Sequence, residues 1–196
     1  FYAYIPYKDQ SDIPVFDSSI SDMNFAQIFT ENTWSGYDRI NEANHVTTAL
    51  TTRFLEDETG SELFRAAVGQ RFYLSATQIG YNGSRTDLPN RKADLLASVG
   101  AKLFKSLTLT GFAQYNYDRK ALNRASAGLR WQPKPMSVVG LYYRYNYVDG
   151  NPESDLNFKQ LDFSAQWPIS GNLYALSRLN YSLLKTVSYT HLRAHE

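Results

Sequence analysis

From Val46 to Leu183 the sequence alternates residue by residue, and this two-residue period separates two chemically different faces. One face runs from Val46, Thr48, Leu50, Thr52 and Phe54 through Phe72, Leu109, Leu129, Trp131, Leu141, Phe163, Trp167, Leu179 and Leu183, and none of these residues is charged. The opposite face carries Arg53, Arg65, Arg71, Lys102, Arg124, Arg130, Arg144 and Arg178 against only Asp94, Asp118 and Asp162. Such alternation dictates β-strands, because successive side chains of a strand point to opposite faces. A charge-free face backed by a basic one then asks which solvent each face meets.

Eight strands follow, at about 43–55, 62–75, 92–104, 107–118, 122–132, 137–148, 158–167 and 173–184, with a stub at 1–5 before them. The connections Glu56–Ser61, Lys105-Ser106, Pro133–Pro135 and Pro168–Asn172 form one tight set, and Ala76–Arg91, Arg119–Ala121 and Asp149–Asn157 form an interleaved, mostly longer set. An antiparallel meander puts each set at one end of the sheet. In outer-membrane barrels short turns face the periplasm and longer loops face outside. Keeping Arg and Lys off the lipid face avoids roughly 2–4 kcal/mol per charge at the bilayer midplane. The aromatic residues also fall into two girdles: Phe54, Trp131 and Trp167 beside the short turns, and Phe72, Tyr115, Tyr117, Tyr145, Tyr147 and Tyr181 towards the loops.

The expected fold class is therefore all-β, an antiparallel transmembrane β-barrel of which about nine meander strands are present. Bacterial single-chain barrels close with an even number of strands, and open sheet edges in lipid leave backbone groups unpaired. A partial barrel belonging to a larger one is the expectation, and Phe1, standing inside a strand with no leader before it, agrees. A soluble β-sandwich is the competing arrangement, with its uncharged face as a protein core and its exposed face mixing signs more evenly.

Composition narrows the class further. Fifteen Tyr, 11 Phe and 3 Trp are too many rings for a disordered chain. No apolar run reaches 18 residues, which excludes a membrane-spanning helix but not spanning strands. The net charge is +1, and no nucleic acid and no cofactor is expected. His191 and His195 stand at helical i, i+4 spacing without a third ligand nearby, so no metal site is expected. Residues 188–196 lose the alternation and read as a non-native tail, which leaves residues 1–187 as barrel.

Residues 6–41 read as one long loop, extracellular by the parity of the turns or folded into the lumen. Pro6 and Pro14 interrupt pairing, Asp9, Asp12 and Asp17 supply turn chemistry, and Asp22–Phe29 is compatible with a short helix capped by Ser21 or Asp22. Loops of this length are functional or disordered, and Phe16, Phe25, Phe29, Trp34 and Tyr37 argue for folding against a surface. Gly36 permits a turn with positive φ. Asp38 and Arg39 are sequence neighbours that cannot pair along an extended chain, so Asp9 or Asp12 is the expected partner of Arg39. The loop is expected either to gate the lumen and contact a plug or merely to cap the rim.

Two stretches, Tyr4-Ile5-Pro6-Tyr7-Lys8-Asp9-Gln10-Ser11-Asp12-Ile13-Pro14 and Gly36-Tyr37-Asp38-Arg39-Ile40-Asn41-Glu42-Ala43-Asn44-His45-Val46, together resemble the lipopolysaccharide-assembly outer-membrane family, LptD. His45 departs from the Gln expected at that place. Asp9, Gln10, Asp12, Pro14, Gly36, Asp38, Arg39 and Asn44 carry the loop signature. The resemblance implies a non-enzymatic role at the Gram-negative outer membrane. There lipopolysaccharide delivered by a periplasmic bridge passes its head group through the barrel to the outer leaflet, and a lipoprotein plug, LptE, fills part of the lumen. The eight cations of the basic face are then candidate contacts for the phosphorylated glycolipid or for the plug, since Arg forks pair with phosphate and carboxylate. A general or anion-selective porin fits the basic face equally well. An enzyme fits poorly, because His45 stands without a serine or metal set.

Overall fold

The computed structural model describes residues 1–88, 90–147, 157–171, 173–184 and 188–195, the last of these by their backbone alone. The strands are β1 (Tyr2–Ile5), β2 (Ser19–Ile20), β3 (Trp34–Ser35), β4 (Ala43–Leu55), β5 (Glu62–Tyr73), β6 (Thr77–Ile79), β7 (Arg85–Asp87), β8 (Leu95–Leu103), β9 (Leu107–Asn116), β10 (Ala121–Lys134), β11 (Ser137–Asn146), β12 (Phe158–Ser170), β13 (Leu173–Ser182) and β14 (Ser188–His195). One 3-10 turn, Gln27–Phe29, interrupts them. Ten strands share a sheet in the order β1-β4-β5-β8-β9-β10-β11-β12-β13-β14, while β2-β3 and β6-β7 form two-stranded ladders of their own. The chain divides into two compact units, Phe1–Leu50 with Val68–Leu96, and Thr51–Ala67 with Ala97–Glu196.

The second unit contains the regular meander. Its registers run antiparallel from β9 through β13, and one row reads Arg130↔Gly140↔Ser164↔Arg178 while the next reads Gly128↔Tyr142↔Asp162↔Asn180. Leu129, Leu141, Trp131 and Trp167 project from the uncharged face and remain 37, 42, 41 and 43% exposed. A sandwich would have covered them, so this face is an apolar surface open to its solvent. The girdle residues Trp131 and Trp167 meet across strands with rings 6.0 Å apart, Phe54 meets Phe64 of the neighbouring strand at 5.8 Å, and Tyr115 and Tyr117 meet along one strand end at 5.5 Å.

Several boundaries move, each for a local reason. β10 runs on through Pro133 and β12 through Pro168, with register shifts between Trp131 and Lys134 and between Pro168 and Ser170. Proline lacks the ladder donor and is tolerated at such irregularities. Phe104 and Lys105 take positive φ of 52° and 57°, shifting the expected Lys105-Ser106 turn back by one residue. β12 begins at Phe158 as expected, and Lys159 then stands on the face read as uncharged, opposite Tyr145. Its ammonium lies 5.5 Å from that ring's centroid, at the strand end where a long stem reaches polar surroundings. The connection expected at Asp149–Asn157 lies outside the described residues apart from Asn157. Ser188–His195, set aside above as tail, pairs along β13 from Tyr181↔Ser188 to Tyr174↔His195. Main-chain pairing on an open strand edge requires no side-chain alternation.

The first unit is built differently. β1 pairs with β4 from Tyr2↔Val46 to Ile5↔Ala43, and the residues after β1 fold back over one face of β4. Ala43, His45 and Thr47 are buried there, whereas Asn44 and Val46 are partly exposed. Ile28, Trp34, Ile79 and Leu96 complete a small buried core. The face so covered is the one that carries Arg71, and by the strand period it is the basic face.

Candidate functional site

The long loop is a folded element tied down at three places. The first tie is at Gly36, where φ is +83° and a Cβ would stand 2.6 Å from the Asp17 Oδ1. The turn it permits brings Asp38 back to the earlier limb of the loop. The Asp38 Oδ2 accepts the backbone N–H groups of Phe16 at 2.8 Å and Asp17 at 2.7 Å. These donors, Asp17 foremost, hold the Asp38 carboxyl below the usual carboxylate range. Ser19–Ile20 pairs with Trp34–Ser35 alongside, and Trp34 stacks edge-on against Tyr81 at 4.8 Å.

The second tie is Arg39, which is 2% exposed. Its guanidinium donates to the carbonyls of Gln10 at 2.6 Å, Ile13 at 2.8 Å and Tyr81 at 3.1 Å. The expected partners Asp9 and Asp12 are therefore not its partners. Asp9 instead accepts the Ser11 N–H at 3.0 Å, which lowers its pKa, and Asp12 and Pro14 are exposed. A planar fork aimed at carbonyls on two segments, the Gln10–Ile13 turn and Tyr81, holds them together as a single carboxylate would not. Gln10 completes the tie with a reciprocal pair to the Ile40 backbone, 2.8 Å to its oxygen and 3.1 Å from its nitrogen. Gly83, at φ +77°, has no side chain to strike the Gln10 carbonyl, which a Cβ would meet at 2.2 Å.

The third tie is Arg71, which is fully buried. Its Nη2 lies 3.0, 2.7 and 3.0 Å from the carbonyl oxygens of Gln27, Ile28 and Thr30. The Ile28 and Thr30 carbonyls lie at the end of the 3-10 turn, where no helix continues to pair them, while the Gln27 carbonyl also accepts the Thr30 N–H at 3.1 Å. Thr47 on β4 also donates to the Ile28 carbonyl, at 2.9 Å, and Phe25 packs over Gly69, where a Cβ would stand 3.3 Å from its ring. The expected helix Asp22–Phe29 with a Ser21 or Asp22 cap shrinks to this single turn. Its preceding backbone is instead held by Asn24, which accepts from Ala26 and Gln27 at 2.8 and 2.9 Å.

The eight basic-face cations thus divide by environment. Arg71 lies beneath the loop and is unavailable to a lipid or a plug, which corrects its assignment as a contact residue. Arg144 pairs with Asp162, whose other oxygen takes the Asn180 amide. Arg124 donates to Asn146 at 2.8 Å, and Arg65 lies 3.6 Å from Glu62. Arg53, Lys102, Arg130 and Arg178 are exposed without a carboxylate partner among the described residues. His45 is buried between the Phe1 and Tyr73 rings, at 6.3 and 6.2 Å, and Asn44 takes the Tyr2 hydroxyl at 3.4 Å.

A family model described as LptD, LPS transport system D, matches residues 1–173. The chain belongs to the LptD family. Proteins named LPS-assembly protein LptD are similar to it: that of Ralstonia nicotianae is 40% identical over 183 residues, covering 93% of this chain and 22% of the relative. That of Chromobacterium violaceum is 40% identical over 200 residues, covering 100% and 25%, and that of Neisseria gonorrhoeae is 38% identical over 188 residues, covering 92% and 23%. The chain spans about a quarter of the length of these relatives. LptD membership supports an outer-membrane β-barrel as the fold to which the antiparallel sheet belongs. The clamp residues missed in the sequence, Thr47, Tyr81, Gly83 and Asn24, act through main-chain carbonyls, N–H groups or close backbone approach, which charge counting does not register. Glu42 was also missed. It takes Arg85 in a two-pronged pair at 3.0 and 2.8 Å, with the Arg85 guanidinium 4.2 Å from the Tyr7 ring.

Proposed function

We propose that the full-length protein carrying this segment assembles lipopolysaccharide at the Gram-negative outer membrane, passing the polar head group along the basic face and delivering the molecule to the outer leaflet. One observation supports this above the rest: the Arg39- and Arg71-tied loop lies on the basic face, while the opposite face leaves uncharged side chains exposed. A barrel with its polar face inward would carry that loop inside the lumen. There it contacts a lipoprotein plug, LptE, or limits the opening, and upstream delivery comes from a periplasmic bridge. No bond-making step is assigned to the segment.

Depletion of the full-length gene in its host, with surface lipopolysaccharide measured by protease-resistant surface labelling, tests the reading. Loss of surface lipopolysaccharide, restored by the wild-type gene, is expected. Unchanged display on depletion would overturn it. A porin is favoured by the same exposed cations, and it would show steady, plug-independent conductance in planar bilayers.

A further inference from the structure

Across β10–β13 the register row Arg130↔Gly140↔Ser164↔Arg178 sets two arginines at the ends and two small residues between them. Three strand spacings separate the arginine backbones by about 14 Å, a gap that two Arg side chains reach into from opposite sides. The structure has a depression of about 460 Å³ at this place, lined by Arg130, Gly140, Tyr142, Ser164 and Arg178 among others. Its floor is low because Gly140 has no side chain; a Cβ there would come 2.9 Å from the Ser164 Oγ and 3.0 Å from the Tyr142 ring.

Tyr142 forms the adjoining wall. Its ring lies against Gly128, where a Cβ would stand 2.7 Å from two ring carbons, so the glycine lets the ring lie down on the sheet. The Tyr142 side chain remains partly exposed above it. The neighbouring charges are already paired: Arg144 with Asp162, whose other oxygen accepts the Asn180 amide. Arg130 and Arg178, in contrast, have no carboxylate partner among the described residues; Arg130 donates a hydrogen bond to the Gln132 side chain at 3.2 Å.

We infer that this depression is a subsite for an anionic group on a saccharide, with Arg130 and Arg178 gripping a phosphate or sugar carboxylate, Ser164 hydrogen-bonding it, and the Tyr142 ring supporting a sugar face. Guanidinium forks suit both anions, and an aromatic ring with a hydroxyl offers one apolar and one polar edge to a sugar ring. The inference rests on the reading that this face meets lipopolysaccharide, and adds to it the place and the recognised moiety.

The test is calorimetric titration of the purified full-length protein with the water-soluble phosphorylated oligosaccharide released from lipopolysaccharide by removing its acyl chains. The double variant R130Q/R178Q is expected to bind at least about tenfold more weakly, because two charge-assisted contacts are lost. Lys105→Gln with Lys120→Gln, two exposed turn lysines outside the depression, is expected to bind as wild type does, and Gly140→Val to lose binding by filling the floor. Binding lost after phosphatase treatment assigns the anion as phosphate. Binding that survives phosphatase but not carboxyl amidation assigns it as an acidic sugar. Equal weakening by both double variants would reduce the site to diffuse basic attraction and overturn the proposal, as would absence of binding to wild type. Either result leaves surface display by the wild-type gene intact, whereas failure of display with binding preserved would sink the transport reading instead.

Discussion

Arg71 of β5 donates to the Ile28 carbonyl at 2.7 Å, fastening a loop more than forty residues away in sequence to the basic face of the sheet. A fully buried guanidinium whose Nη2 meets three carbonyl oxygens in place of a carboxylate exchanges an ion pair for directed hydrogen bonds, while its Nη1 has no hydrogen-bond partner among the described residues. Removing the fork leaves those carbonyls buried, and the cost falls on the loop and not on the strands.

Arg71→Lys tests that division. Lysine keeps the charge but loses the planar fork, and each charge-assisted bond lost costs roughly 1.5–3 kcal/mol. Amides around residues 24–33 of the full-length protein are expected to lose hydrogen-exchange protection while those of β9–β13 keep theirs. Uniform loss in both places would show that the loop is not an independently tied element.

Gly36→Ala should loosen the first tie. The left-handed backbone costs an ordinary residue about 1–2 kcal/mol, and the new Cβ meets Asp17 at 2.6 Å. Faster exchange of the Phe16 and Asp17 amides is expected in the variant. Unchanged exchange would mean that Asp38 holds the turn without help from Gly36.

The Asp38 contact carries a pH dependence. Its carboxyl is held below the usual range by the Asp17 and Phe16 N–H groups, so its contribution to loop order is fully present above the unfolded-state value near 3.9 and is lost as pH falls through the lower folded value. Protection factors of the Phe16 and Asp17 amides, corrected for intrinsic exchange, should be flat above that value and fall below it. Asp38→Asn should remove the transition, and a variant that kept it would assign the titration elsewhere.

Leu141 and Tyr142 are sequence neighbours on opposite faces, which makes them a matched pair. An Arg at position 141 faces lipid at a cost of about 2–4 kcal/mol near the midplane, whereas an Arg at position 142 joins the basic face. Leu141→Arg is expected to reduce the heat-modifiable, membrane-assembled form of the full-length protein, and Tyr142→Arg to leave it near wild type. Equal damage from both would contradict the assignment of faces.

The alternation alone determined the strands, the separation of the cations from the uncharged face, and the expectation of a larger barrel, because a period of two and the transfer cost of charge act on every residue without knowledge of its neighbours. It also marked Gly36, Asp38 and Arg39 as residues that need special geometry. What it left open was decided by the tertiary structure. Arg71 counted in the sequence as one of eight equivalent basic-face cations, yet the folded loop buries it and leaves Arg130 and Arg178 exposed. Arg39 was expected to seek a carboxylate and found the Gln10, Ile13 and Tyr81 carbonyls. Every residue carries a carbonyl, so residue type cannot say which will be left without a backbone partner, and only the path of the chain settles where a guanidinium meets three of them.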